Sequence, residues 1–194
     1  MHTPTALTAT PDEFDRAVST LVAAFVADPF IRWMFPDAKQ YLTYFPQLLQ
    51  HFAGAAFDHE GAYRSDDFKA AACWLPPDVA PDEEALGEVL MQGVDGGLQA
   101  NVFAVLEQVG ASHPPVPHYY LPAIGVEPTM QGKGYGSVLM EQGVAVCDRH
   151  RVAAYLESTN PTNIPLYRKF GFEIIGEIQV DGSPVLTRML REAA

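Results

Sequence analysis

The stretch MQGKGYGSVLM, residues 130–140, places three glycines within five positions and then becomes apolar. A glycine inside a helix costs about 1 kcal/mol relative to alanine. Even so, Gly132, Gly134 and Gly136 directly precede a segment whose pattern predicts a helix over 137–150. The apolar run before them, residues 118–128, predicts a strand. The glycines therefore lie in a strand-to-helix turn that requires bare backbone.

A glycine-rich turn at the start of a helix is a typical anion site, because open amide groups and the positive end of the helix dipole meet there. Lys133 adds a mobile positive charge. The alternative is a surface loop whose glycines bind nothing. Two common phosphate motifs fail. The dinucleotide pattern needs glycine where Ser137 stands, and the Walker A pattern needs glycine at Glu127 and Ser or Thr at Gly134.

The spacing that does fit is Q-x-x-G-x-G, formed by Gln131, Gly134 and Gly136. It resembles the pyrophosphate loop of the GNAT superfamily of N-acetyltransferases. A second segment, NPTNIPLYRKFGF at residues 160–172, is also similar to that family. Its asparagine is followed seven residues later by Tyr167, and then by a basic pair and Gly-Phe. The two motifs occur in the family's order and spacing.

The resemblance covers about residues 118–190 and implies a mixed α/β fold. In that fold a central, mostly antiparallel twisted sheet is flanked by helices and splayed at an acetyl-CoA cleft. The chain has 194 residues, of which 48% are hydrophobic, and contains neither a repeat nor a linker, which predicts one domain over 1–194. Residues 1–117 are the expected variable acceptor half, and residues 118–190 the acetyl-CoA core.

The first half has weaker signals. Thr10 and Pro11 predict the start of a helix that stops near Asp28. The aromatic stretch PFIRWMFPD, 29–37, is bounded by prolines and is predicted to be too short for a regular element with its own face. The other predicted elements are a helix from Lys39 to Asp58, a helical region over 82–109 interrupted at 95–97, and strands at 6–9, 62–65, 70–75 and 153–159.

Composition excludes several classes of function. The formal net charge of −12 argues against nucleic acid as a partner. The longest apolar runs are far too short to cross a bilayer, and the first residues lack the basic start and apolar core of a signal peptide. Cys73 and Cys147 lie in apolar surroundings and predict a reducing environment. A cytoplasmic protein is expected, without membrane or nucleic-acid partners.

No metal is predicted. His51 and His59 are eight residues apart, and His113 and His118 are five apart across prolines, so neither pair has the helical spacing of a metal site. Asp95-Gly96-Gly97 lacks the alternating carboxylates of a calcium loop.

The resemblance implies acetyl-CoA as co-substrate. Amides of the glycine turn are assigned to the pyrophosphate, and the strand before it to the pantetheine arm. Gly125 suits a bulge that splays this strand, or else a close packing contact. Of the two asparagines after the next strand, one is expected to cap a helix. The implied cofactor-binding residues are Ile124, Gly125, Val126, Gln131, Gly132, Lys133, Gly134, Tyr135, Gly136, Ser137, Asn160, Asn163 and Tyr167.

Two residues are candidates for proton transfer. Tyr167 matches the family's tyrosine and, with an ordinary pKa near 10, would hold a proton for the departing thiolate; the alternative is an ordinary buried tyrosine. Glu157 lies on a strand beside the cleft and could deprotonate the amine, or it could be an outward-facing strand carboxylate. The resemblance therefore implies direct acetyl transfer with Tyr167 as acid, and Glu157 is the candidate base.

The acceptor is predicted to be the primary amine of a small molecule with an apolar body. Phe30, Trp33 and Met34 are candidate walls of its pocket, or some of them pin their loop to the core. Tyr119 precedes the acetyl-CoA strand and could join them, as could its neighbours Tyr120 and His118, or all three could be an aromatic edge of the core. The segments HYYLPAIGV, 118–126, and LESTNPTNIPLY, 156–167, most resemble the small-molecule branch that includes puromycin N-acetyltransferase-like proteins. Alternatives are a protein or peptide N-acetyltransferase and a non-catalytic acyl-CoA sensor. The resemblance also implies a possible homodimer, because proteins with the GNAT fold often dimerise.

Overall fold

The computed structural model describes residues 3–193 and contains one seven-stranded sheet with the order β1-β2-β3-β4-β5-β7-β6. Neighbouring strands are antiparallel except β4 and β5, which run parallel. The described residues do not include Met1, His2 or Ala194. The predicted domain 1–194 therefore extends beyond them at both ends, and the N-terminal segment compared with a signal peptide begins before them. The strands are β1 (Ala6–Thr8), β2 (Ala62–Ser65), β3 (Ala70–Leu75), β4 (His118–Val126), β5 (Ala153–Ser158), β6 (Glu173–Ile178) and β7 (Leu186–Arg191).

Helices cover both faces of the sheet, which confirms the predicted mixed α/β architecture. The predicted helix over Lys39–Asp58 ends earlier, and a 3₁₀ turn over Gly54–Phe57 replaces its last part. The region over 82–109 is divided into two helices, as the glycines at 96 and 97 predict. The helices are α1 (Phe14–Ala24), α2 (Pro29–Met34), α3 (Ala38–Ala53), α4 (Glu83–Gly93), α5 (Gln99–Ala111), α6 (Tyr135–His150) and α7 (Ile164–Lys169).

The two sheet faces carry separate hydrophobic clusters. Successive side chains of a strand point to opposite faces, so Tyr120 and Tyr155 pack with residues of α1 to α5, whereas Tyr119 and Leu156 pack with residues of α6 and α7. We call these the α1–α5 face and the α6–α7 face.

The aromatic stretch after Asp28 is helical, and the prediction that it forms no regular element is wrong. The Asp28 carboxylate accepts hydrogen bonds from the amides of Phe30 and Ile31, both at 3.0 Å, and Pro29 occupies the first helical position. This cap stabilises a six-residue helix, α2, whose buried face is Phe30, Ile31 and Met34. Asp28, near which the sequence predicts the end of α1, caps the start of the next helix.

The sheet opens between β4 and β5. The two strands pair only at His118–Tyr120 with Ala153–Tyr155. Beyond this point β4 continues to Val126 beside β3, and β5 continues to Ser158 beside β7. A gap therefore separates the carboxyl-terminal halves of the two central strands, and the candidate catalytic residues lie around it.

Gly125 does not form the bulge that was one of its two predicted roles. It pairs regularly with Ala71, and the irregularity of the β3–β4 ladder lies between Cys73 and Leu75. A Cβ atom on Gly125 would lie only 2.6 Å from the Cβ of Ala24 and 3.2 Å from Cδ2 of Leu21. The glycine lets α1 approach the sheet closely, which is the alternative role.

Candidate active site

The glycine turn precedes α6 and has the backbone conformation of an anion-binding loop. Gly132 and Gly134 have φ angles of +74° and +91°, and a Cβ at either position would meet open space. The first intrahelical hydrogen bond runs from the Val138 amide to the Gly134 carbonyl at 3.2 Å. The amides before it, including those of Gly136 and Ser137, belong to the open first turn. The turn could hold an anion at the positive end of a 16-residue helix.

The Q-x-x-G-x-G motif accepts any residue at position 132 and so predicts that Gly132 can be substituted. The backbone differs from this prediction, because a positive φ restricts Gly132 as well as Gly134. Gly136 lacks a positive φ, and the restriction there is steric, since its Cβ would lie 3.1 Å from Cδ2 of Leu166.

Two lysines bring positive charge to the turn. The Lys133 amino group donates to the Thr129 carbonyl at 2.9 Å, and that of Lys169 donates to the Ser137 hydroxyl at 3.4 Å. Lys169 belongs to the basic pair that follows Tyr167 in the second motif. The motif therefore includes this lysine, but the sequence alone does not place it beside the glycine turn.

The strand before the turn has an open edge. Ile124, Gly125 and Val126 lie beyond the β4–β5 pairing and form ladder contacts only with β3. Of the two asparagines, Asn160 is the cap, because its side-chain oxygen accepts from the Thr162 amide at 3.0 Å and the Thr162 hydroxyl at 2.8 Å. Asn163 makes no side-chain capping bond. The expectation that one asparagine caps the helix is confirmed.

Tyr167 is buried on α7, at the side of the gap that belongs to the α6–α7 face. Burial raises its pKa well above the ordinary value, and the nearby Asp28 carboxylate adds to the effect. Asp28 accepts a 2.6 Å hydrogen bond from the Thr159 hydroxyl, which follows β5. The phenol therefore stays protonated at neutral pH.

Glu157 points from β5 into the α1–α5 face, so the alternative of an outward-facing carboxylate is wrong. Its side chain is 5% exposed. The Tyr120 hydroxyl donates to its Oε2 at 2.9 Å, and burial raises its pKa to about 7. Oε1 has no hydrogen-bond partner among the described residues. A carboxylate that titrates near neutral pH and has an open oxygen can accept a proton from a ligand.

Glu157 lines an apolar cavity of about 70 Å³ between α2, α3 and the sheet. An adjoining cleft of about 700 Å³ extends outward beside α4 and α5 and shares Tyr120 with the cavity. Both Phe30 and Met34 line the inner cavity, together with Phe25, Ile31, Phe45, Leu48, Leu49, Phe52, Leu86, Leu106, Val109, Pro122, Ala123, Thr159 and Leu186.

Two predicted pocket residues lie elsewhere. Trp33 stacks on Phe30 with ring centroids 5.6 Å apart and does not line the cavity. Tyr119 faces the α6–α7 side, where its hydroxyl lies 2.7 Å from Nδ1 of His150. Because strand side chains alternate, Tyr120 takes the cavity position.

The comparison with known families agrees with this geometry. The model of the acetyltransferase (GNAT) family matches residues 42–172. The chain belongs to this family. An uncharacterised N-acetyltransferase of Schizosaccharomyces pombe is 26% identical over 180 residues, which cover 82% of this chain and 70% of the relative.

Solved structures show the same GNAT fold. A Corynebacterium glutamicum protein described as histone acetyltransferase HPA2 and related acetyltransferase has a TM-score of 0.69 and 25% identity, covering 100% of this chain and 98% of that one. Arylalkylamine N-acetyltransferase 2 from Aedes aegypti has a TM-score of 0.71 at 16% identity, covering 98% and 99%. This protein is therefore a GNAT acetyltransferase, and the reaction is acetyl transfer.

GNAT enzymes use acetyl-CoA as co-substrate, and the residues present fit it. The turn at Gly132 and Gly134 leaves room for a phosphate where side chains would project. The open edge of β4 offers backbone groups to the amide-containing arm. Within residues 3–193, no group of three or more His, Cys, Asp or Glu side chains is placed to hold a metal ion. No described helix of this GNAT protein is long and apolar enough to span a bilayer.

Two residues near Glu157, Tyr155 and Arg188, were not among the sequence candidates. Tyr155 pairs with the candidate Tyr120 across the β4–β5 contact and lies beside the Glu157 carboxylate. The guanidinium of Arg188 on β7 lies 3.3 Å from the Tyr155 hydroxyl. The sequence points to Tyr155 only through the alternation of side chains along a strand, which places Tyr155 and Glu157 on the same face of β5.

Proposed function

We propose that this protein transfers the acetyl group of acetyl-CoA directly to the primary amine of a small molecule with an apolar body. The observation that carries the proposal is the buried Glu157 carboxylate, whose unpartnered Oε1 lies at the wall of an otherwise apolar cavity. This cavity lies on one face of the sheet, the glycine turn leads into a helix on the other, and the β4–β5 gap lies between them.

On the donor side, the amides of residues 131–137 bind the pyrophosphate, and Lys133 and Lys169 add charge. The open edge of Ile124–Val126 and the side chain of Asn163 bind the pantetheine arm. The side chain of Asn160 contributes less to binding the pantetheine arm, because it already caps the following turn. Acetyl-CoA supplies the activated acetyl thioester.

On the acceptor side, Glu157 removes the proton that the amine must lose before it attacks. An alkylamine with a pKa near 10 is mostly protonated at pH 7, and a base that titrates near 7 suits this task. Tyr167 holds its proton at this pH and donates it to the departing thiolate. The two groups lie on opposite faces of the gap, so acid and base do not exchange their proton directly.

The cavity walls favour an apolar amine. They are aromatic and aliphatic, and Phe30 and Met34 are among them. The outer cleft adds Glu83 and Glu107, which attract a cation. The Aedes aegypti relative is an arylalkylamine N-acetyltransferase, and the motifs resemble the branch of puromycin N-acetyltransferase-like proteins. The proposed setting is a cytoplasmic enzyme, without nucleic-acid or membrane partners, that can form a homodimer.

Acetylation of a protein or peptide is the second candidate function. It is favoured by the 25% identity to the Corynebacterium glutamicum protein, whose description includes a histone acetyltransferase, and by the open outer cleft of about 700 Å³.

The test combines binding with turnover. Acetyl-CoA should raise the melting temperature, and thiol release should then be measured with arylalkylamines, linear diamines and peptides that carry free N-termini or lysines. Thiol release with hydrophobic amines supports the proposal. Release with peptides alone favours the second function, and stabilisation without any thiol release would leave a non-catalytic acyl-CoA sensor.

A further inference from the structure

His113 and His118 connect Glu157 to the surface. Nε2 of His113 lies 3.9 Å from Oε1 of Glu157, and Nδ1 of His113 lies 3.0 Å from Nε2 of His118. Nδ1 of His118 lies 2.7 Å from the Val116 carbonyl. These groups form a series from the cavity to a partly exposed histidine, with one 3.9 Å gap between Glu157 and His113. Neither histidine has a role in the acetyl transfer derived above.

The partners fix the direction of the hydrogen bonds. A carbonyl oxygen only accepts, so Nδ1 of His118 carries hydrogen and, in the neutral ring, Nε2 accepts. Nδ1 of His113 therefore donates to His118, which leaves a lone pair on Nε2 of His113, directed towards Glu157. The 3.9 Å distance is longer than a hydrogen bond, and a small ring movement or one bridging water closes it.

We propose that His113 and His118 carry the proton that Glu157 takes from the amine out to solvent. This inference rests on the proposed function. The amine nitrogen gives one proton to Oε1 of Glu157, which passes it to Nε2 of His113. His113 then gives its Nδ1 proton to Nε2 of His118, and His118 releases one proton to water. One proton enters and one leaves, and the carboxylate is ready for the next amine once His113, left with hydrogen on Nε2, returns to its starting tautomer by a ring flip or by exchange with water.

The surroundings of His113 disfavour its charged form. His113 faces His118 and Tyr120 of β4, Tyr155 and Glu157 of β5, and Arg188 of β7; it also shares the outer cleft with Glu83 of α4 and Glu107 of α5. Burial, aided by His118 and Arg188, lowers the pKa of His113 to about 4. Because the pKa of Glu157 is about 7, His113 holds the proton roughly a thousandfold less often. It is a transient carrier and not a proton store.

The test uses His113→Gln and His118→Gln, because an amide keeps polar contacts but cannot carry an extra proton. At pH 7 with both substrates saturating, kcat should fall by about tenfold or more in each variant, while KM for the amine changes little. Added imidazole should restore kcat of His113→Ala in a concentration-dependent manner. His59→Gln, in an exposed turn, is the matched control.

Wild-type kcat in both glutamine variants would overturn the relay while leaving the proposed function intact. If wild-type protein acetylates no amine, the proposed function fails, and ring ¹⁵N chemical shifts of the free protein decide the hydrogen-bond series separately. Hydrogen on Nδ1 of both rings supports it, and hydrogen on Nε2 of neutral His113 overturns it.

Discussion

Glu157 is a carboxylate in an environment that differs strongly from water, because its side chain is 5% exposed. Because folding raises its pKa from 4.5 to about 7, the folded state binds the proton more tightly than the unfolded state. The stability from this group is present below pH 4.5 and is lost as the pH rises through 7, by about 3 kcal/mol in total. The protein is therefore less stable at neutral pH than it would be with a neutral side chain at position 157, and in return the carboxylate titrates near neutral pH, as a general base requires.

We therefore expect Glu157→Gln to have opposite effects on stability and activity. The free energy of unfolding, relative to wild type, should be higher at pH 8 than at pH 5, because the amide never ionises. At the same time kcat should fall by about a hundredfold, and the limb of the kcat/KM profile near pH 7 should disappear. Urea denaturation at both pH values and initial rates test this. Glu173→Gln, on an exposed part of β6, is the control; a retained limb in Glu157→Gln would rule out this base.

Tyr167→Phe should lower kcat by roughly tenfold or more without unfolding the protein, because only the hydroxyl is removed from a buried ring. Tyr119→Phe is the matched control, since Tyr119 is also buried on the α6–α7 face but lies where β4 and β5 still pair, away from the open gap. Circular dichroism and rates at saturating substrate separate the two. Equal kcat in both variants would reduce Tyr167 to an ordinary buried tyrosine.

At the scale of elements, the glycine turn and α6 form the proposed donor site, and its three glycines are restricted in two different ways. Alanine at Gly132 or Gly134 needs the left-handed region, at a cost of about 1–2 kcal/mol, and should weaken acetyl-CoA binding by roughly tenfold. Alanine at Gly136 keeps a helical φ, but its Cβ would lie 3.1 Å from Cδ2 of the flexible Leu166 side chain, so it should weaken binding with a smaller loss of melting temperature. Calorimetric titration with acetyl-CoA and thermal unfolding check this; tight binding by Gly132→Ala would show that the turn can relax.

The packing of α1 on the sheet depends on Gly125. Gly125→Ala should destabilise the protein by about 1–3 kcal/mol, because its Cβ would overlap Ala24 at 2.6 Å. Gly110→Ala, in α5 with no atom within 4 Å of the new Cβ, should instead stabilise by about 0.5–1 kcal/mol. Chemical denaturation of both variants tests the contrast, and equal effects would contradict the close packing.

The elements that the sequence predicted well are those with strong local signals. The glycines predict the turn, and apolar periodicity predicts α6 and β5. The asparagines and prolines at 160–165 mark the start of the short helical segment that contains α7. The helix α2 was missed because it depends on one aspartate that both follows α1 and caps α2. The contacts of Glu157 are missed for another reason. Tyr120 is a sequence candidate for the amine site, but it and His113 come close to Glu157 only through the parallel β4–β5 pairing, which no local pattern specifies.

At the scale of the whole molecule, the sheet separates the two proposed binding sites, and the gap between β4 and β5 lies between them. The glycine turn and Tyr167 lie with the α6–α7 face, and Glu157 lies with the α1–α5 face. Under the proposed function, two substrates are bound together, and the acetyl group needs no protein carrier between them.

Direct transfer predicts sequential kinetics. Cys73 and Cys147 are buried, burial raises the pKa of each thiol to about 12, and neither lines the cavity, so no thiolate is available to accept the acetyl group. Double-reciprocal plots at several amine concentrations should intersect, and intact mass spectrometry after incubation with acetyl-CoA alone should show no acetylated protein. Parallel lines together with an acetylated species lost in Cys147→Ala would instead demand a covalent route, and α6 would have to move to expose that thiol.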